Sequence, residues 1–598
     1  MPNESKHRLW VIFSEKDLNK IIHKLSSKDV IICNINSFKY PEINIFNVMT
    51  CTIEEESIGL KVKDSLTELS LKYGDEIIGF SNNFYQCSVF LLVKFIKSIE
   101  QMSKRYPNSK IYFVNKVLFS AKKPNYFLAE YESQGVRLYD REGAFFGTII
   151  KYCSDKGLPV SFLSKKISFQ IISNYIRVFT VYFIKFYYDI VNSLSVVNVE
   201  KYTNKEIDFI FISRSISQSQ FLKKIIVNNN YSNKVILFNN AQDKQHIGRA
   251  KEIFYEIKNA SVISASAIKE YLIVGEYARS LKNIFTLKKQ TIIIEKDIHI
   301  DITQAVREIL VMLPHIVLYQ KQLNQTISKI SGKCKGLVFS TEQKSPHAYI
   351  DAIVANNNKL PCVQLMQCDQ DNSDIPIPVT GDLFIPISRS KKEMLIKSWS
   401  SDNHKVFFPC QVSVNTVDNK NSLEFQYKVC FFSSFDDVEF NVNVAKGLRS
   451  IAQSGNFKIL IKLHPRDGSN WWKEFNAEGC MVVQHHEIEL PELIEIFEIA
   501  IGSFSAVMIS LLEFNKQYIL LDFGNFNVNL NDISYVDSQY QPVASNMNKM
   551  EFWINNKEKL FEQYDLLIKR CAPKAEELCS SKSYFEKILK RLKVKEKD

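Results

Sequence analysis

Two short segments in the last third of the chain combine residue types that could bind a phosphate group. KLHPR, at 462–466, brings an imidazole and two cationic side chains together, and IGSFSA, at 501–506, brings two hydroxyls beside a glycine. Cationic side chains stabilise a departing phosphate oxygen, and hydroxyls donate hydrogen bonds to it. The candidate residues are Lys462, His464, Pro465 and Arg466 in the first segment and Gly502, Ser503 and Ser505 in the second.

Both segments follow apolar runs that predict strands. FKILIK precedes the first and FEIAI the second, and the next residues predict a helix that opens at Ala506 and then the strand Tyr518–Leu521. In an open α/β sheet, ligands bind beyond the carboxyl ends of the strands, where helix N-termini also offer N–H groups to an anion. The two segments therefore predict a phosphate or diphosphate cradle.

Each part of this cradle also has a structural explanation. A single histidine at a strand end is more often a structural residue, and serines before a helix are ordinary N-caps. Capping and anion binding use the same geometry, so one does not exclude the other.

The pair KLHPR and IGSFSAVMISLLEFNKQYILLD resembles the C-terminal donor domain of bacterial GT-B glycosyltransferases of surface polysaccharide synthesis, in particular the sialyltransferase, polysialyltransferase and Kdo-transferase-like groups. In those enzymes the His-Pro motif and the serine-rich turn hold the phosphate and ribose of a CMP-sugar. Polymerases of teichoic acid type carry a similar arrangement. The resemblance covers roughly residues 335–540. It implies an α/β fold of GT-B type, with two Rossmann-like domains facing a cleft. The alternating strand and helix patterns of residues 8–150 predict an additional N-terminal α/β domain.

The resemblance also implies an inverting, metal-independent transfer without a cofactor. Such a transfer needs a base for the acceptor hydroxyl, positive charge for the leaving phosphate, and a grip on the nucleotide. Ser433 and Ser434 follow the strand KVCFF and are candidates for the donor phosphate loop. Many nucleotide-sugar enzymes place a ribose-binding Glu where this chain has Ser510, and Glu513 is the substitute candidate. This difference argues mildly against a UDP-hexose donor and leaves room for a CMP-linked one.

The general base stays open among several residues. Glu342 and His347 lie in the loop after the predicted strand GLVFS, and Asp140 and Glu142 are alternatives in the first domain. Relatives often have Gln-His-Gly where this chain has Gln, Cys and Asp at 367–369. This difference weakens any carry-over from the family at that position.

Strand and helix patterns alternate through most of the 598 residues, which are too many for one core. The aromatic segment 167–194 is interrupted by charged residues, so it predicts an interdomain core helix or a membrane-interface helix rather than a spanning one. The basic tail predicts a solvated amphipathic helix, with attraction to anionic lipid as the alternative. The predicted organisation is an N-terminal α/β domain (1–165), an aromatic linker helix (166–205), an acceptor-side Rossmann-like domain (206–385), a nucleotide-sugar donor domain (386–575) and a basic helical tail (576–598).

The composition limits the classes of binding partner that we expect for this protein. The net charge of +11 is mild for this length, and no arginine-rich run or RNA-binding signature accompanies it, so no nucleic-acid partner is expected. The charge suits a nucleotide-sugar donor, a glycan or lipid-linked glycan acceptor, or an anionic membrane face. The 12 cysteines include no CxxC pair, and the polar N-terminus predicts no secretory leader. We therefore expect reduced thiols and a cytoplasmic protein, with the inner face of the cell membrane as an alternative location.

Three functions fit the sequence. The first is a glycosyltransferase of lipopolysaccharide or capsule synthesis with a CMP-nonulosonate or Kdo-type donor. The second is a CDP-alditol glycerol- or ribitol-phosphate transferase, which would use the same cradle. The third is a sugar-nucleotide or glycan-binding protein that has lost its base.

Overall fold

The structure of the protein is a computed structural model. It forms two compact units: unit 1 consists of Met1–Ile387, Lys392–Val412 and Ser580–Asp598, and unit 2 of Ser388–Lys391 and Ser413–Cys579. The described residues are 7–13, 15–33, 42–84, 89–117, 142–166, 180, 182–187, 189–191, 206–214, 216–226, 234–238, 252–255, 257, 260–264, 270–295, 298–331, 334–341, 345–366, 380–398, 403–412, 425–433, 438–464, 470–476, 479–484, 487–488, 490–503, 507–522, 539–571 and 578–595.

Unit 1 begins with a parallel sheet of five strands: β1 (Arg8–Ile12), β2 (Asp29–Cys33), β3 (Ile45–Asn47), β4 (Lys110–Val117) and β5 (Val160–Lys166). The helices of this part are α1 (Glu15–Ile21), α2 (Glu55–Tyr73), α3 (Ser81–Phe84), α4 (Leu91–Arg105) and α5 (Glu142–Asp155). The strand order is β3-β2-β1-β4-β5. The sequences RLWVI and DVIIC are apolar almost throughout and are buried in β1 and β2, as expected for a parallel sheet covered on both faces.

The central sheet of unit 1 contains six parallel strands. They are β6 (Ile207–Ser213), β7 (Lys234–Phe238) and β8 (Ala260–Ser264), then, after the antiparallel pair β9 (Thr291–Glu295) and β10 (Ile298–Asp301), β11 (Cys334–Ser340), β12 (Cys362–Leu365) and β13 (Leu383–Ile385). The helices are α6 (Ile216–Ile226), α7 (Glu270–Thr286), α8 (Thr303–Ser331), α9 (Pro346–Asn357) and α10 (Arg389–Ser398), and the short strand β14 (Gln411–Val412) follows. The order β13-β12-β11-β6-β7-β8 is the Rossmann order, with a switch point between β6 and β11.

Pro314 lies inside α8. Proline has no N–H, so the helix cannot supply the usual bond to the carbonyl of Leu310, four residues earlier. The hydroxyl of Ser280, on α7, donates a hydrogen bond to that carbonyl. The missing bond is thus replaced by a neighbouring helix, and α8 continues with His315 and Tyr319 one turn apart on the same face.

Unit 2 is built on a second six-stranded parallel sheet: β15 (Tyr427–Phe432), β16 (Ile459–Lys462), β17 (Cys480–Val483), β18 (Phe497–Gly502), β19 (Tyr518–Leu521) and β20 (Val543–Ala544). Its helices are α11 (Val438–Gly455), α12 (Leu490–Ile496), α13 (Val507–Glu513), α14 (Met547–Asn555) and α15 (Lys557–Cys571), and β21 (Leu578–Cys579) ends the unit. The order β17-β16-β15-β18-β19-β20 repeats the Rossmann arrangement.

The last helix, α16 (Ser581–Lys595), belongs to unit 1. Phe585 and Ile588 are buried, and the Phe585 ring stacks on Phe209 of β6 at 4.8 Å between centroids. The apolar face recognised in the sequence therefore packs against the central sheet. This corrects the expectation of a solvated or lipid-facing tail, because that face is already covered by aromatic rings of β6 and β11.

The described part of the aromatic segment, residues 180, 182–187 and 189–191, is helical. The Tyr182 ring packs edge-on against Tyr277 of α7 at 5.1 Å, so one face of this segment contributes to the core of unit 1. None of the helices in the described residues is long and apolar enough to cross a membrane.

The cysteines agree only in part with the expected reduced thiols. Free, buried cysteines are found at positions 33, 51, 153, 362, 430 and 480. Cys362 is among them, as expected from the tendency of free thiols to be buried. Cys410 and Cys579, in contrast, are disulfide-bonded, which corrects the expectation for these two positions.

The predicted fold class is confirmed: the chain is α/β, with two Rossmann-like sheets and an additional N-terminal α/β sheet. The central and N-terminal sheets share one hydrophobic core within unit 1. The domain boundaries and the cleft stay predictions.

Candidate functional site

The sheet of unit 2 has its switch point between β15 and β18, and β16 lies on the other side of β15. Phe432, the last residue of β15, pairs with Lys462 of β16 and with Gly502 of β18. The three strands therefore end at the same level. The residues that follow them emerge side by side at the edge where doubly wound sheets bind ligands.

Ser433 connects two of these strand ends. Its backbone N–H donates to the carbonyl of Lys462 at 3.0 Å, and its hydroxyl oxygen accepts the backbone N–H of His464 at 2.9 Å. Ser433 is only 6% exposed, so this geometry is held in the interior. The hydroxyl thereby fixes the first residues after β16, while its own proton can still be donated.

The Lys462 side chain reaches the loop that follows β17. Its ammonium donates to the carbonyls of Gln484, at 3.1 Å, and of Ile488, at 2.5 Å, both beyond the end of β17. The side chain thus holds the loop after β17 and adds positive charge to this edge of the sheet.

The turn after β18 is closely packed. A Cβ on Gly502 would lie 2.8 Å from the phenol oxygen of Tyr518 and 3.0 Å from the Phe432 carbonyl, so only glycine fits without displacement. The Tyr518 hydroxyl donates to the Ser503 carbonyl at 2.6 Å. Burial holds the pKa of Tyr518 well above its ordinary value, so the phenol keeps the proton that it donates.

The structure brings Ser433, Lys462, His464, Gly502 and Ser503 to one edge of the sheet. The helix predicted to open at Ala506 is described from Val507 and contains only seven residues. Several sequence-predicted residues lie outside the described ones: Asp140, Glu342, positions 367–369, Ser434, Pro465, Arg466 and Ser505. Glu142 begins α5 and Glu513 ends α13, but their side chains are also outside the description.

A second polar cluster lies at the switch point of the central sheet. Arg214, directly after β6, forms an ion pair of 2.5 Å with the fully buried carboxylate of Asp351 on α9. Asp351 also accepts hydrogen bonds from Tyr319, at 2.5 Å, and from Ser340, the last residue of β11, at 2.6 Å. Arg214 donates to the Tyr319 hydroxyl as well. The Asp351 carboxylate therefore has the hydrogen-bond partners that a buried charge requires.

His347, one of the predicted bases, is the second residue of α9 and lies against this cluster. Its ring contacts Tyr319 edge-on, at 4.7 Å between centroids. Burial, and after it the positive charge of Arg214, holds the pKa of His347 well below its ordinary value. The imidazole is therefore neutral.

Beside His347 lies a second histidine, which the sequence analysis did not identify. The His315 ring is 6.1 Å from that of His347, and its Nδ1 is 2.9 Å from a carboxylate oxygen of Asp189. The other oxygen of Asp189 accepts the hydroxyl of Tyr277 at 2.7 Å. Burial, together with the charge of Asp189, raises the pKa of Tyr277.

Some of these residues left a signal in the sequence. Asp189 is an acidic residue inside a strongly aromatic segment, and His315 and Tyr319 are spaced by one helical turn. Tyr518 begins an otherwise aliphatic strand. Their partners come from distant parts of the chain, however, so spacing alone could not pair them. Among the described residues, no group of three or more His, Cys, Asp or Glu side chains could hold a metal ion.

The sequence matches no protein-family model and no curated protein. Its fold is similar to those of several solved structures. UDP-GlcNAc 2-epimerase from Neisseria meningitidis, bound to UDP-GlcNAc, aligns over 65% of this chain and 99% of its own, with 11% identity and a TM-score of 0.39. A glycosyltransferase from Rickettsia africae aligns over 65% and 98%, with 11% identity and a TM-score of 0.39. The wall teichoic acid polymerase TagF aligns over 71% and 98%, with 10% identity and a TM-score of 0.39.

Proposed function

We propose that the chain is a glycosyltransferase of GT-B type that takes a nucleotide-activated donor at the switch point of unit 2. The observation that carries the proposal is the bond between the Ser433 hydroxyl and the His464 N–H, at the edge where β15, β16 and β18 end together. A doubly wound sheet binds nucleotides at this position.

In this function, His464 stabilises the departing phosphate oxygen of the donor. Its backbone is fixed by Ser433, so the imidazole starts from a defined point at the strand edge. The Ser433 hydroxyl donates a hydrogen bond to the phosphate, and the close packing of Gly502 against Tyr518 and Phe432 fixes the backbone at the end of β18. Pro465, Arg466, Ser434 and Ser505, which lie outside the described residues, are proposed as further phosphate-binding residues, and Glu513 is proposed to bind the ribose.

The preferred donor is a CMP-linked nonulosonate or Kdo-type sugar, and the acceptor is a hydroxyl of a glycan or lipid-linked glycan. This preference rests on Ser510, which stands where UDP-hexose enzymes place their ribose-binding glutamate. A CDP-alditol would present the same cytidine and phosphate groups to the same residues. The product of the reaction shows which of the two donors the protein uses.

The first experiment measures nucleotide binding by titration calorimetry with CMP, CDP, UDP and GDP. We expect cytidine nucleotides to bind most tightly. We expect Ser433→Ala to weaken that binding about 10- to 100-fold, because a hydrogen bond to a charged group contributes about 1.5–3 kcal/mol. Ser454→Ala is the matched control, since within the described part of the chain the Ser454 hydroxyl donates to the Ile451 carbonyl of its own helix.

The second experiment incubates the protein with CMP-sialic acid, CMP-Kdo and CDP-glycerol and a panel of glycan acceptors, with mass spectrometry of the products. Sugar transfer from a CMP-sugar is the expected result, and alditol-phosphate transfer would establish the alternative. Nucleotide binding without product from any donor would favour a binding protein. Equal nucleotide affinities of Ser433→Ala and Ser454→Ala would refute the donor site.

A further inference from the structure

Two neighbouring helices of unit 1 keep large apolar side chains exposed to solvent. One is the aromatic helix, defined here as residues 180, 182–187 and 189–191, and the other is α7. Together they carry seven of the sixteen large apolar side chains that are exposed in the described part of the chain: Phe183, Ile184, Tyr187, Val191, Tyr271, Val274 and Phe285. Exposed apolar residues that are concentrated in this way indicate an interaction surface, whereas scattered single ones do not.

The two helices pack against each other at Tyr277 of α7. The rings of Tyr182 and Phe186 lie edge-on to the Tyr277 ring, at 5.1 and 5.0 Å between centroids. The Tyr182 hydroxyl also donates to the Tyr277 carbonyl, at 2.5 Å. These contacts use one side of the aromatic helix. Three of its exposed residues follow one another at intervals of four and therefore share another side: Phe183, Tyr187 and Val191.

The residues of α7 are divided between two faces in the same way. The buried face consists of Ile273, Tyr277, Ser280 and Ile284. The exposed face consists of Tyr271, Val274, Ala278, Lys282 and Phe285. Spacings of three and four residues place each set on one side of a helix. The outward side of α7 therefore carries an aromatic ring near each end, next to the exposed rings of the aromatic helix.

The charged groups of this region are almost all positive at the surface. The acidic residue of the stretch 271–290 is Glu276, which forms an ion pair of 2.6 Å with Lys321 of α8. The acidic residue of the aromatic helix is Asp189, which is buried. Four exposed cations lie on α7 or directly after it: Arg279, Lys282, Lys288 and Lys289.

This charge pattern decides between two possible occupants. In a two-fold dimer the same patch faces itself, so a second copy of the chain would bring Arg279 and Lys282 close to their own counterparts. Like charges at such an interface oppose association. Anionic lipid headgroups, in contrast, attract the cations, while aromatic rings are favoured at the boundary between headgroups and acyl chains.

We propose that the exposed faces of the aromatic helix and α7 form a surface that binds an anionic lipid bilayer. The two helices lie in the plane of the headgroups, with Phe183 and Phe285 inserted at the acyl boundary and with Arg279 and Lys282 among the lipid phosphates. This surface belongs to unit 1 alone, and its function does not depend on the transfer reaction proposed above.

The test is co-sedimentation of the full chain with lipid vesicles, without any donor. The protein should bind vesicles that contain phosphatidylglycerol more tightly than vesicles of phosphatidylcholine alone, and sodium chloride should weaken this binding. Arg279→Gln/Lys282→Gln should lower the partition coefficient roughly 10- to 30-fold, because each basic residue near an anionic surface contributes to the attraction. Lys104→Gln/Arg105→Gln removes the same two charges from the exposed end of α4 and is the matched control.

The apolar contribution is tested by Phe183→Ser/Phe285→Ser, which takes one ring from each helix. These side chains are 61% and 73% exposed, so the variant should fold normally, as its melting temperature will show. Its partition coefficient should fall at least about tenfold, since both rings leave water in the bound state. Leu71→Ser/Tyr255→Ser, at positions that are 93% and 90% exposed, is the control and should bind as the wild type does.

Three results would overturn the proposal. The first is a wild-type protein that does not sediment with vesicles containing phosphatidylglycerol, or that sediments equally with both compositions. The second is a loss of binding in the control variants as large as in the surface variants. The third is a dimer, detected by analytical ultracentrifugation, that Phe183→Ser/Phe285→Ser dissociates in a protein without vesicle binding, because the surface would then be occupied by a second copy.

Discussion

The phenol of Tyr518 donates a hydrogen bond to the carbonyl of Ser503 at 2.6 Å. A Cβ on the preceding residue, Gly502, would lie only 2.8 Å from the same phenol oxygen. The turn after β18 therefore depends on a strand residue 15 positions later in the chain. It holds the backbone at the candidate donor site independently of any ligand.

Tyr518→Phe should lower the free energy of unfolding by about 1–3 kcal/mol, because it leaves a buried carbonyl without its donor. Chemical denaturation measures this change. Tyr427→Phe is the control, since among the described residues the Tyr427 hydroxyl donates to the sulfur of Met481, which is a weak acceptor. An equal loss of unfolding free energy in both variants would show that the bond to Ser503 contributes no more to stability than the contact with Met481.

His464→Ala should lower turnover roughly 10²-fold or more, the loss typical of removing one electrostatic stabiliser. Its melting temperature should change little, because the residue follows a strand end and is only partly buried. Initial rate and melting temperature on this variant decide between the catalytic and structural roles. A stability loss in the usual 0.5–3 kcal/mol range with a normal rate would show a structural histidine.

Asp351→Ala should cost about 3–5 kcal/mol of stability, because it leaves the charge of Arg214 buried without its carboxylate. The double variant Arg214→Met/Asp351→Leu should recover much of that loss, since no buried charge then remains. Glu100→Ala, which breaks an exposed pair with Lys104, is the control and should cost at most about 1 kcal/mol. A double variant no more stable than Asp351→Ala would contradict this explanation.

Lys516 provides a pH-dependent test in unit 2. Its side chain is 6% exposed, and its ammonium lies over the rings of Phe425, at 4.2 Å, and Phe497, at 4.7 Å. Burial lowers the pKa of Lys516 to about 8. The unfolded chain therefore binds the proton more tightly, and the resulting cost to stability is fully present below pH 8. It disappears as the pH rises from about 8 to 10.5, where the amine becomes neutral in both states.

Lys516→Met should accordingly stabilise the protein at pH 7, by at most about 3 kcal/mol, since one pKa unit corresponds to about 1.4 kcal/mol. Melting temperatures between pH 7 and 10.5 should show the gain shrinking. Lys549→Met is the control, because the Lys549 ammonium also lies over aromatic rings but the residue is exposed. A gain that is independent of pH would rule out the titration of Lys516 as its cause.

Phe585→Ala should destabilise unit 1 by about 3–5 kcal/mol, the usual cost of deleting a buried phenylalanine. The ring contacts Phe209 and Phe339 of the central sheet. Leu566→Ala, at a position of α15 that is 42% exposed, should cost much less. Denaturation curves compare the two, and equal losses would place α16 outside the core of unit 1.

The strands could be predicted from the sequence because each buried strand is a short apolar run between polar turns. GLVFS, KVCFF and YILL all became strands of parallel sheets. Five residues of the predicted donor site also meet at one edge, since parallel strands that end together bring their following loops together.

The sequence by itself determined that this chain is α/β and that His464 and Ser503 follow two strands of the same sheet, because periodicity and turn residues are local properties. Only the tertiary structure decided which polar groups touch. The pairing of Asp189 with His315 joins residues 126 positions apart, and that of Arg214 with Asp351 joins residues 137 apart. The tertiary structure also shows that the basic tail contributes to a core, since Phe585 packs against rings that are hundreds of residues earlier in the chain. Such contacts depend on how helices and sheets pack, which no local pattern specifies.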